Sequence, residues 1–178
     1  VTDHFFGGNT CVPSNRPWKE RVDMFCSGYE DALIQGQKCG LDVFFGWEQN
    51  FNHDEYLIYG LDKNWLLNHP EVESWTRAEQ LQVVSKHGGC VVQAHPFRNR
   101  AYISQIILGP QFCHGVEVIN MGNFAYNDAA AYRFAQEYGL SMTAGSDNHF
   151  SCADNWKDII GGIVLDKHLA SVMEYARI

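Results

Sequence analysis

Five side chains of metal-ligating type occur at four separate places in the sequence: His4, Glu48, His95, Asp147 and His149. Each stands at, or shortly after, the end of a short apolar run that is typical of a β-strand. Imidazole and carboxylate ligands together suit zinc, manganese or iron. A carboxylate that bridges two such ions holds them about 3.5–4 Å apart, a geometry that serves the hydrolysis of phosphate esters. The pattern therefore favours a metal centre over five unrelated polar side chains.

The sequence around these residues supports the same interpretation. Glu48 directly follows an aromatic run, where a charged side chain needs a partner. Asp147 and His149 share one loop, in which alternate side chains can point the same way. Because His95 precedes Pro96, we expect its backbone to be extended. The other histidines lack such a setting, and we assign no metal role to His53, His69, His87, His114 and His168.

The elements that must position these side chains alternate between strand and helix. The residue patterns predict strands over 41–47, 56–61, 90–94, 115–120, 140–144 and 162–165, and helices over 19–39, 76–87 and 128–138. Thr76, with Glu79 three residues later, predicts a capping box at the start of the second helix. Such alternation is typical of a parallel α/β architecture, either a barrel or an open sheet. In these folds, active sites form at the carboxyl ends of the strands.

Composition narrows the classes of partner. The chain has 178 residues, of which 46% are hydrophobic, and this is enough for one domain with a buried core. Its 13 basic and 21 acidic residues give a net charge of −8. We therefore expect neither nucleic acid nor an anionic membrane as a partner. A phosphorylated substrate would need metal ions or a few well-placed arginines. No run approaches the roughly 20 apolar residues of a membrane span.

The cysteines and the chain ends give two further expectations. The six cysteines are far apart and form no Cys-x-x-Cys pair, which predicts free, mostly buried thiols in a reducing cytoplasm. No secretory signal pattern opens the chain. Residue 1 is Val1 rather than Met, and residues 1–4 are typical of the carboxyl end of a strand. The run over 169–178 is amphipathic and ends without a capping residue. We therefore expect the chain to be a fragment.

Four short motifs, taken in order, resemble those of the polymerase-and-histidinol-phosphatase (PHP) family of metal-dependent phosphoesterases. They are Thr-Asp-His at 2–4, Gly-Trp-Glu at 46–48, Ala-His-Pro at 94–96 and Gly-Ser-Asp-Asn-His at 145–149. Weaker matches are Leu-Ile-Tyr-Gly at 57–60 and Gly-Val-Glu-Val-Ile-Asn at 115–120. The resemblance extends from residue 2 to about residue 165. No single motif is specific, but their combination and order are.

The resemblance implies a fold and a set of metal ligands. It implies a distorted (β/α)7 TIM-like barrel with up to three divalent metal ions, zinc, manganese or iron, at its carboxyl rim. In that arrangement Glu48 bridges two ions, His95 binds one of them and Asp147 binds the other. His4 and His149 serve a third ion. Glu48 and Asp147 are thereby the expected catalytic pair.

Three features bear on how closely the chain follows the family. Asp3 is expected to orient His4 rather than to bind metal. Family members often carry a histidine ligand near the Tyr-Gly strand, where this chain has Asp54 and Glu55; we favour Glu55. The family also opens with a His-x-His pair, and this chain has none. We expect that pair, with the first strand and helix, to precede Val1, so that residues 1–178 are a single, N-terminally truncated domain.

The function that follows is hydrolysis of a small phosphomonoester or a nucleotide phosphate by metal-activated water. Arg98 and Arg100 follow His95 on the same loop, where a guanidinium could bind a phosphate with two parallel hydrogen bonds. Alternatively, both arginines are ordinary surface residues. Two other functions stay open: an amidohydrolase-like enzyme that cleaves a non-phosphate bond, and a non-catalytic scaffold with a degenerate metal site. The sequence leaves the substrate, the metal and the oligomeric state undetermined.

Overall fold

The structure, a computed structural model, describes residues 1–149 and 160–178. Its helices are α1 (Trp18–Cys39), α2 (Lys63–Leu67), α3 (Arg77–Lys86), α4 (Ala125–Tyr138) and α5 (Val172–Tyr175). Its strands are β1 (Gly46–Phe51), β2 (Asp54–Tyr59), β3 (Cys90–Gln93), β4 (Gly115–Asn120) and β5 (Ser141–Gly145). Short 3₁₀ helices cover Pro70–Ser74 and Pro110–Phe112. The predicted α/β class is therefore correct.

The described chain forms two compact units. The first comprises residues 1–51, 57–91 and 169–178, and the second comprises residues 52–56 and 92–168. The single domain expected over 1–178 stays a prediction. No helix of the described chain is both long and apolar enough to cross a membrane.

The first unit has an aromatic core against α1. The helix follows Pro17 and ends at Gly40, whose φ of 72° is the left-handed conformation that glycine adopts without strain. It buries Phe25, whose ring centroid lies 5.0 Å from that of Phe5. Phe5 also lies 5.8 Å from Trp47, and both are fully buried. Burying rings of this size contributes roughly 1.5–3 kcal/mol each. This core places the two chain segments that carry His4 and Glu48.

The capping box of α3 is present as predicted. The backbone N–H of Glu79 donates to the Thr76 hydroxyl oxygen at 3.3 Å. In return, the Thr76 backbone N–H donates to the Glu79 carboxylate at 2.8 Å. These bonds satisfy two of the donors that every helix start leaves unpaired.

The strands follow the order β1-β2-β3-β4-β5 in one open sheet. β4 runs parallel to both β3 and β5, with Gly115 opposite Val92 on one side and Ser141 on the other. The register between β4 and β5 shifts between Glu117 and Ile119. This part of the sheet confirms the predicted parallel arrangement. The described strands do not close into a barrel.

β1 begins later than the predicted strand over 41–47. Its backbone forms a parallel ladder with the first residues of the chain: the Gly46 N–H donates to the Val1 carbonyl at 2.9 Å, and the Glu48 N–H donates to the Asp3 carbonyl at 3.0 Å. Before Gly46, Val43 packs against α1, where a Cβ at Gly36 would lie 2.5 Å from it. The strand therefore starts only where a partner strand is available. The expectation that residues 1–4 end a strand agrees with this ladder.

The connection from β1 to β2 is a two-residue turn at Asn52 and His53. Their φ angles of 59° and 80° are typical of the type I′ turn that joins antiparallel strands. The predicted parallel α/β architecture did not include an antiparallel pair, and this hairpin corrects it. A two-residue loop is too short for the crossover that parallel strands require.

The strand predicted over 162–165 is wrong. These residues form no regular element, and Val164 is 97% exposed. A β-branched run favours a strand only where a neighbouring strand accepts its hydrogen bonds, and no described strand does so here. The amphipathic run over 169–178 forms the short helix α5, which Ser171 caps through the Glu174 N–H at 3.4 Å.

Five of the six cysteines are free thiols, as predicted. Cys26 and Cys113 are buried and Cys90 is partly buried, whereas Cys11 and Cys39 are exposed. The expectation of mostly buried thiols is therefore wrong for the last two. Cys152 lies outside the described residues.

Candidate metal centre

In the first unit, Glu48 contacts His4. The His4 Nδ1 lies 2.6 Å from the Glu48 Oε2, and the two backbones form an isolated parallel bridge. Glu48 is the third residue of β1, inside the strand rather than beyond its end as predicted. Its side chain is only 7% exposed, and a buried carboxylate is costly without a partner of this kind. The pair therefore combines the two ligand types that the sequence suggested.

Asp3 does not orient His4 as expected. Its carboxylate faces α1, where a Cβ at Gly28 would lie 3.5 Å from the Asp3 Oδ2. Adjacent residues of an extended segment point to opposite sides, so Asp3 and His4 diverge. Asp3 is also exposed. The main contribution of Asp3 is its backbone carbonyl, which accepts the Glu48 N–H.

In the second unit, Glu55 contacts His95. The Glu55 Oε2 lies 3.3 Å from the His95 Nε2, and the Glu55 carbonyl accepts the Ala94 N–H at 2.9 Å. His95 is 5% exposed and lies two residues beyond β3, where the sequence predicted it. Asp54, the alternative to Glu55, is buried and lines a cleft together with His95.

The backbone of His95 differs from the expected extended conformation. Its φ of 29° is positive, which is uncommon for any residue except glycine. Two hydrogen bonds hold it: the His95 N–H donates to the Glu117 Oε2 at 3.1 Å, and the Arg98 N–H donates to the His95 carbonyl at 2.9 Å. Strained backbone of this kind costs about 1–3 kcal/mol and concentrates at functional sites. Pro96 alone therefore did not determine this geometry.

Asp147 forms a salt bridge with Arg98. The Arg98 Nη2 donates to the Asp147 Oδ2 and, at 2.8 Å, to the Asn120 Oδ1. The Arg98 Nε donates to the Asn123 Oδ1 at 3.0 Å. Both charged side chains are largely buried, at 12% and 14% exposure. The guanidinium that was expected to bind substrate is therefore held by three protein side chains.

His149 and Arg100 lie at the edge of this network. The His149 side chain is half exposed, and its Nδ1 lies 3.0 Å from the Asp147 carbonyl oxygen. Arg100 donates to the Gly122 carbonyl at 2.6 Å and stacks 5.3 Å above the Phe124 ring. Arg100 is thus a more exposed residue than Arg98.

Sequence reasoning missed Glu117 as a site residue. This glutamate of β4 is 4% exposed, and its Oε2 accepts hydrogen bonds from the His95 N–H and, at 2.7 Å, from the Asn120 Nδ2. Burial raises the pKa of the Glu117 carboxyl, while the bond from Asn120 and the nearby His95 oppose that rise. The signal was available in the sequence, because a carboxylate between Val116 and Val118 requires buried polar partners.

A cleft in the second unit adjoins His95 and Arg98. It is open to solvent, and the space in it, about 260 Å³, includes part of that solvent. Its wall also contains Asp54, Gln93 and Ile106. The cleft thus has a candidate metal ligand and an arginine side chain in the same wall.

The described residues include a group that could hold a metal ion. Within the first unit it comprises His4 and Glu48, each of which offers one ligand atom. Imidazole and carboxylate donors fit the zinc, manganese or iron that the sequence suggested. The structure thus brings His4 to Glu48, Glu55 to His95, and Asp147 to both Arg98 and His149.

A comparison with solved structures finds proteins whose fold is similar to that of this chain. The chain is similar to a crystal structure from Bifidobacterium adolescentis whose assignment as a metal-dependent phosphoesterase is itself a prediction. The TM-score is 0.51 at 15% identity, over 71% of this chain and 75% of that one. At this identity the likeness concerns the fold alone, and at that level it agrees with the predicted resemblance to metal-dependent phosphoesterases.

A second match is to a two-domain protein from Bacteroides vulgatus that contains a predicted PHP-like metal-dependent phosphoesterase. Its TM-score is 0.42 at 13% identity, over 80% of this chain and 40% of that one. No protein-family model and no curated protein matches this chain in sequence.

Proposed function

We propose that this protein is a metal-dependent phosphoesterase that hydrolyses a small phosphomonoester or a nucleotide phosphate. The observation that carries the proposal is the buried contact of Glu48 with His4, at 2.6 Å, because both residues belong to the motifs of the PHP resemblance. The fold shared with the Bifidobacterium structure supports it. The distorted TIM-like barrel remains part of the proposal.

The proposed ligands are the residues of the sequence motifs together with Glu55. Glu48, His95, Asp147, His4 and His149 would hold the ions. Glu55 adds a carboxylate beside His95. When bound, the ions would activate a water molecule and stabilise the negative charge that develops on the phosphate. We propose zinc, manganese or iron as the metal, with up to three ions.

The two arginines have different proposed roles. Arg98 holds Asp147 in place through its Nη2, while its Nη1 donates to no described residue and Arg98 lines the cleft. A phosphate oxygen in the cleft could accept a hydrogen bond from this Nη1. Arg98 would then bind phosphate by one hydrogen bond rather than by the two-pronged grip expected from the sequence. Arg100, which is more exposed, would add positive charge at the edge of the site.

The experiment is a measurement of metal content and substrate range on the purified protein. Elemental analysis is expected to find at least two divalent ions per chain. A panel of phosphomonoesters, nucleotides and amides is expected to give turnover on the phosphate esters only. Turnover of amides alone would favour the amidohydrolase-like alternative. A protein that binds no metal and turns over nothing would favour the non-catalytic scaffold.

The free thiols are in keeping with the cytoplasmic location that we also propose.

A further inference from the structure

Glu117 occupies a position that the proposed chemistry does not itself require. It is a carboxylate, 4% exposed, in a strand whose neighbours Val116 and Val118 are also buried. Taking a carboxylate out of water costs several kcal/mol unless hydrogen bonds replace its hydration. A carboxylate at this position is therefore stable only if other groups form hydrogen bonds with it.

The first contact holds the loop that carries His95. The Glu117 Oε2 accepts the His95 backbone N–H at 3.1 Å, where the positive φ of His95 has to be maintained against strain. This bond satisfies the buried His95 N–H at a backbone conformation that few residues adopt. Glu117 thereby determines where the backbone turns after β3.

The second contact leads to Asp147 through side chains. The same Oε2 accepts the Asn120 Nδ2 at 2.7 Å, which orients the amide so that the Asn120 Oδ1 faces Arg98. Arg98 donates to that Oδ1 at 2.8 Å and to Asp147. The chain of bonds thus runs from Glu117 to the carboxylate of a candidate metal ligand.

The third contact is steric and reaches the start of the Asp147 loop. A Cβ at Gly145 would lie 2.4 Å from the Glu117 Oε1, closer than any side chain tolerates. Gly145 ends β5 and is followed two residues later by Asp147, whose φ is 46°. The carboxylate therefore packs directly on the backbone from which the second loop departs.

We propose that Glu117 is a positioning residue that fixes the His95 loop and the Asp147 loop relative to each other, so that both ligands reach one metal centre. The statement that the two loops serve a metal centre rests on the proposed function. The structural part, that one buried carboxylate holds both loops, can be tested without any metal or substrate.

The experiment compares amide hydrogen exchange of Glu117→Gln with that of the unaltered protein. The Gln carbonyl oxygen also has two lone pairs but carries no negative charge, so both hydrogen bonds are expected to weaken, and the backbone amides of residues 95, 97 and 98 and of residues 145–149 are expected to exchange on the order of tenfold faster or more. Faster exchange in the His95 loop alone would overturn the proposed coupling. Unchanged exchange in both loops would overturn the role of Glu117 altogether.

Two further variants make the result decisive. Asn120→Ala interrupts the route to Arg98 and is expected to loosen residues 145–149 while leaving the His95 N–H bonded; it serves as the test if Glu117→Gln does not fold. Glu73→Gln is the matched control, because Glu73 also accepts two bonds, both from Arg21, but belongs to the first unit. It is expected to leave both loops unchanged.

A metal titration then connects the inference to the proposed function. Glu117→Gln is expected to weaken Mn²⁺ or Zn²⁺ binding 10- to 100-fold, as loss of an outer-shell partner does. It is expected to lower kcat for phosphate esters with little change in KM. If the unaltered protein binds no metal, the proposed function fails, whereas the exchange experiment still decides the role of Glu117.

Discussion

The imidazole of His4 and the carboxylate of Glu48 face each other at 2.6 Å on two adjacent parallel segments of backbone. The Phe5 N–H donates to the Glu48 carbonyl at 2.8 Å, so the backbone ladder continues one residue beyond His4. Phe5 and Trp47 flank the pair in sequence and are fully buried. The aromatic core therefore fixes the position of two polar side chains that would otherwise be free to separate.

Glu48→Gln is expected to lower both metal occupancy and turnover. An amide cannot supply the negative charge that two cations share, and losing such a ligand is expected to cost 10- to 100-fold or more. Elemental analysis and a phosphatase assay measure the two effects. Glu73→Gln, which removes a carboxylate that only pairs with Arg21, is expected to change neither. Unchanged occupancy and rate in Glu48→Gln would place Glu48 outside the site.

Arg98→Ala is expected to reduce stability as well as activity. Removing the guanidinium leaves the largely buried Asp147 without its cation, at a cost on the order of 3 kcal/mol in the free energy of unfolding. The kcat/KM for a phosphate ester is expected to fall by about one to two decades. Denaturant unfolding and steady-state kinetics measure these changes.

Two companion variants separate the roles of the arginines. Arg98→Lys is expected to restore only part of the loss, because an ammonium cannot reach Asn120, Asn123 and Asp147 together. Arg100→Ala is expected to cost less, about 1 kcal/mol, because it removes an exposed hydrogen bond to the Gly122 carbonyl and leaves no described carboxylate without its cation. Equal destabilisation by Arg98→Ala and Arg100→Ala would contradict the network described for Arg98.

The capping box of α3 predicts a pH-dependent contribution to stability. The hydrogen bonds from the backbone and then the side chain of Thr76 lower the pKa of Glu79 below its usual 4.5. A carboxylate with a lowered pKa in the folded state stabilises the fold above its unfolded pKa, and this contribution is lost as the pH falls through the folded value. Glu79→Ala is therefore expected to lower Tm at pH 7 but to have little effect well below pH 4.5.

Thermal unfolding at both pH values measures this effect. Glu137→Ala on α4 is the control, since Glu137 is exposed and has no hydrogen-bonded partner among the described residues. Thr76→Ala is expected to cost about 1 kcal/mol, the typical value for removing such a cap. A Glu79→Ala effect that persists undiminished at low pH would show that the ionised carboxylate is not the stabilising species.

Thiol labelling is expected to divide the cysteines into two groups. Burial raises the pKa of Cys26 to about 12 and that of Cys90 to about 11, so at pH 8 few of these thiols are ionised. The thiolate is the reactive form, and iodoacetamide is expected to label them slowly. Cys11 and Cys39 are exposed and are expected to react first. Peptide mass spectrometry resolves the order, and rapid labelling of Cys26 would contradict the packing of α1.

The residue sequence determined the elements whose signals are local. Thr76 and Glu79 specify a helix start through bonds within one turn, and Gly40 ends α1 because glycine adopts a positive φ without strain. The strand at 115–120 was also predictable, since a short run rich in β-branched residues between two glycines needs no distant information. The types of the candidate ligands, and their order along the chain, were equally evident.

Only the tertiary structure decided which of these residues meet. β1 begins at Gly46 because residues 1–5 supply its hydrogen-bonding partner, and no pattern over 41–47 contains that information. Likewise, Glu55 contacts His95, and Arg98 contacts Asp147. Each pair is about 40 to 50 residues apart in sequence, and only the fold brings its members together. Short-range propensity determines single elements, whereas the burial of a charge is decided by every segment that surrounds it. Glu117 could therefore be recognised as a buried carboxylate from the sequence, but its partners could not.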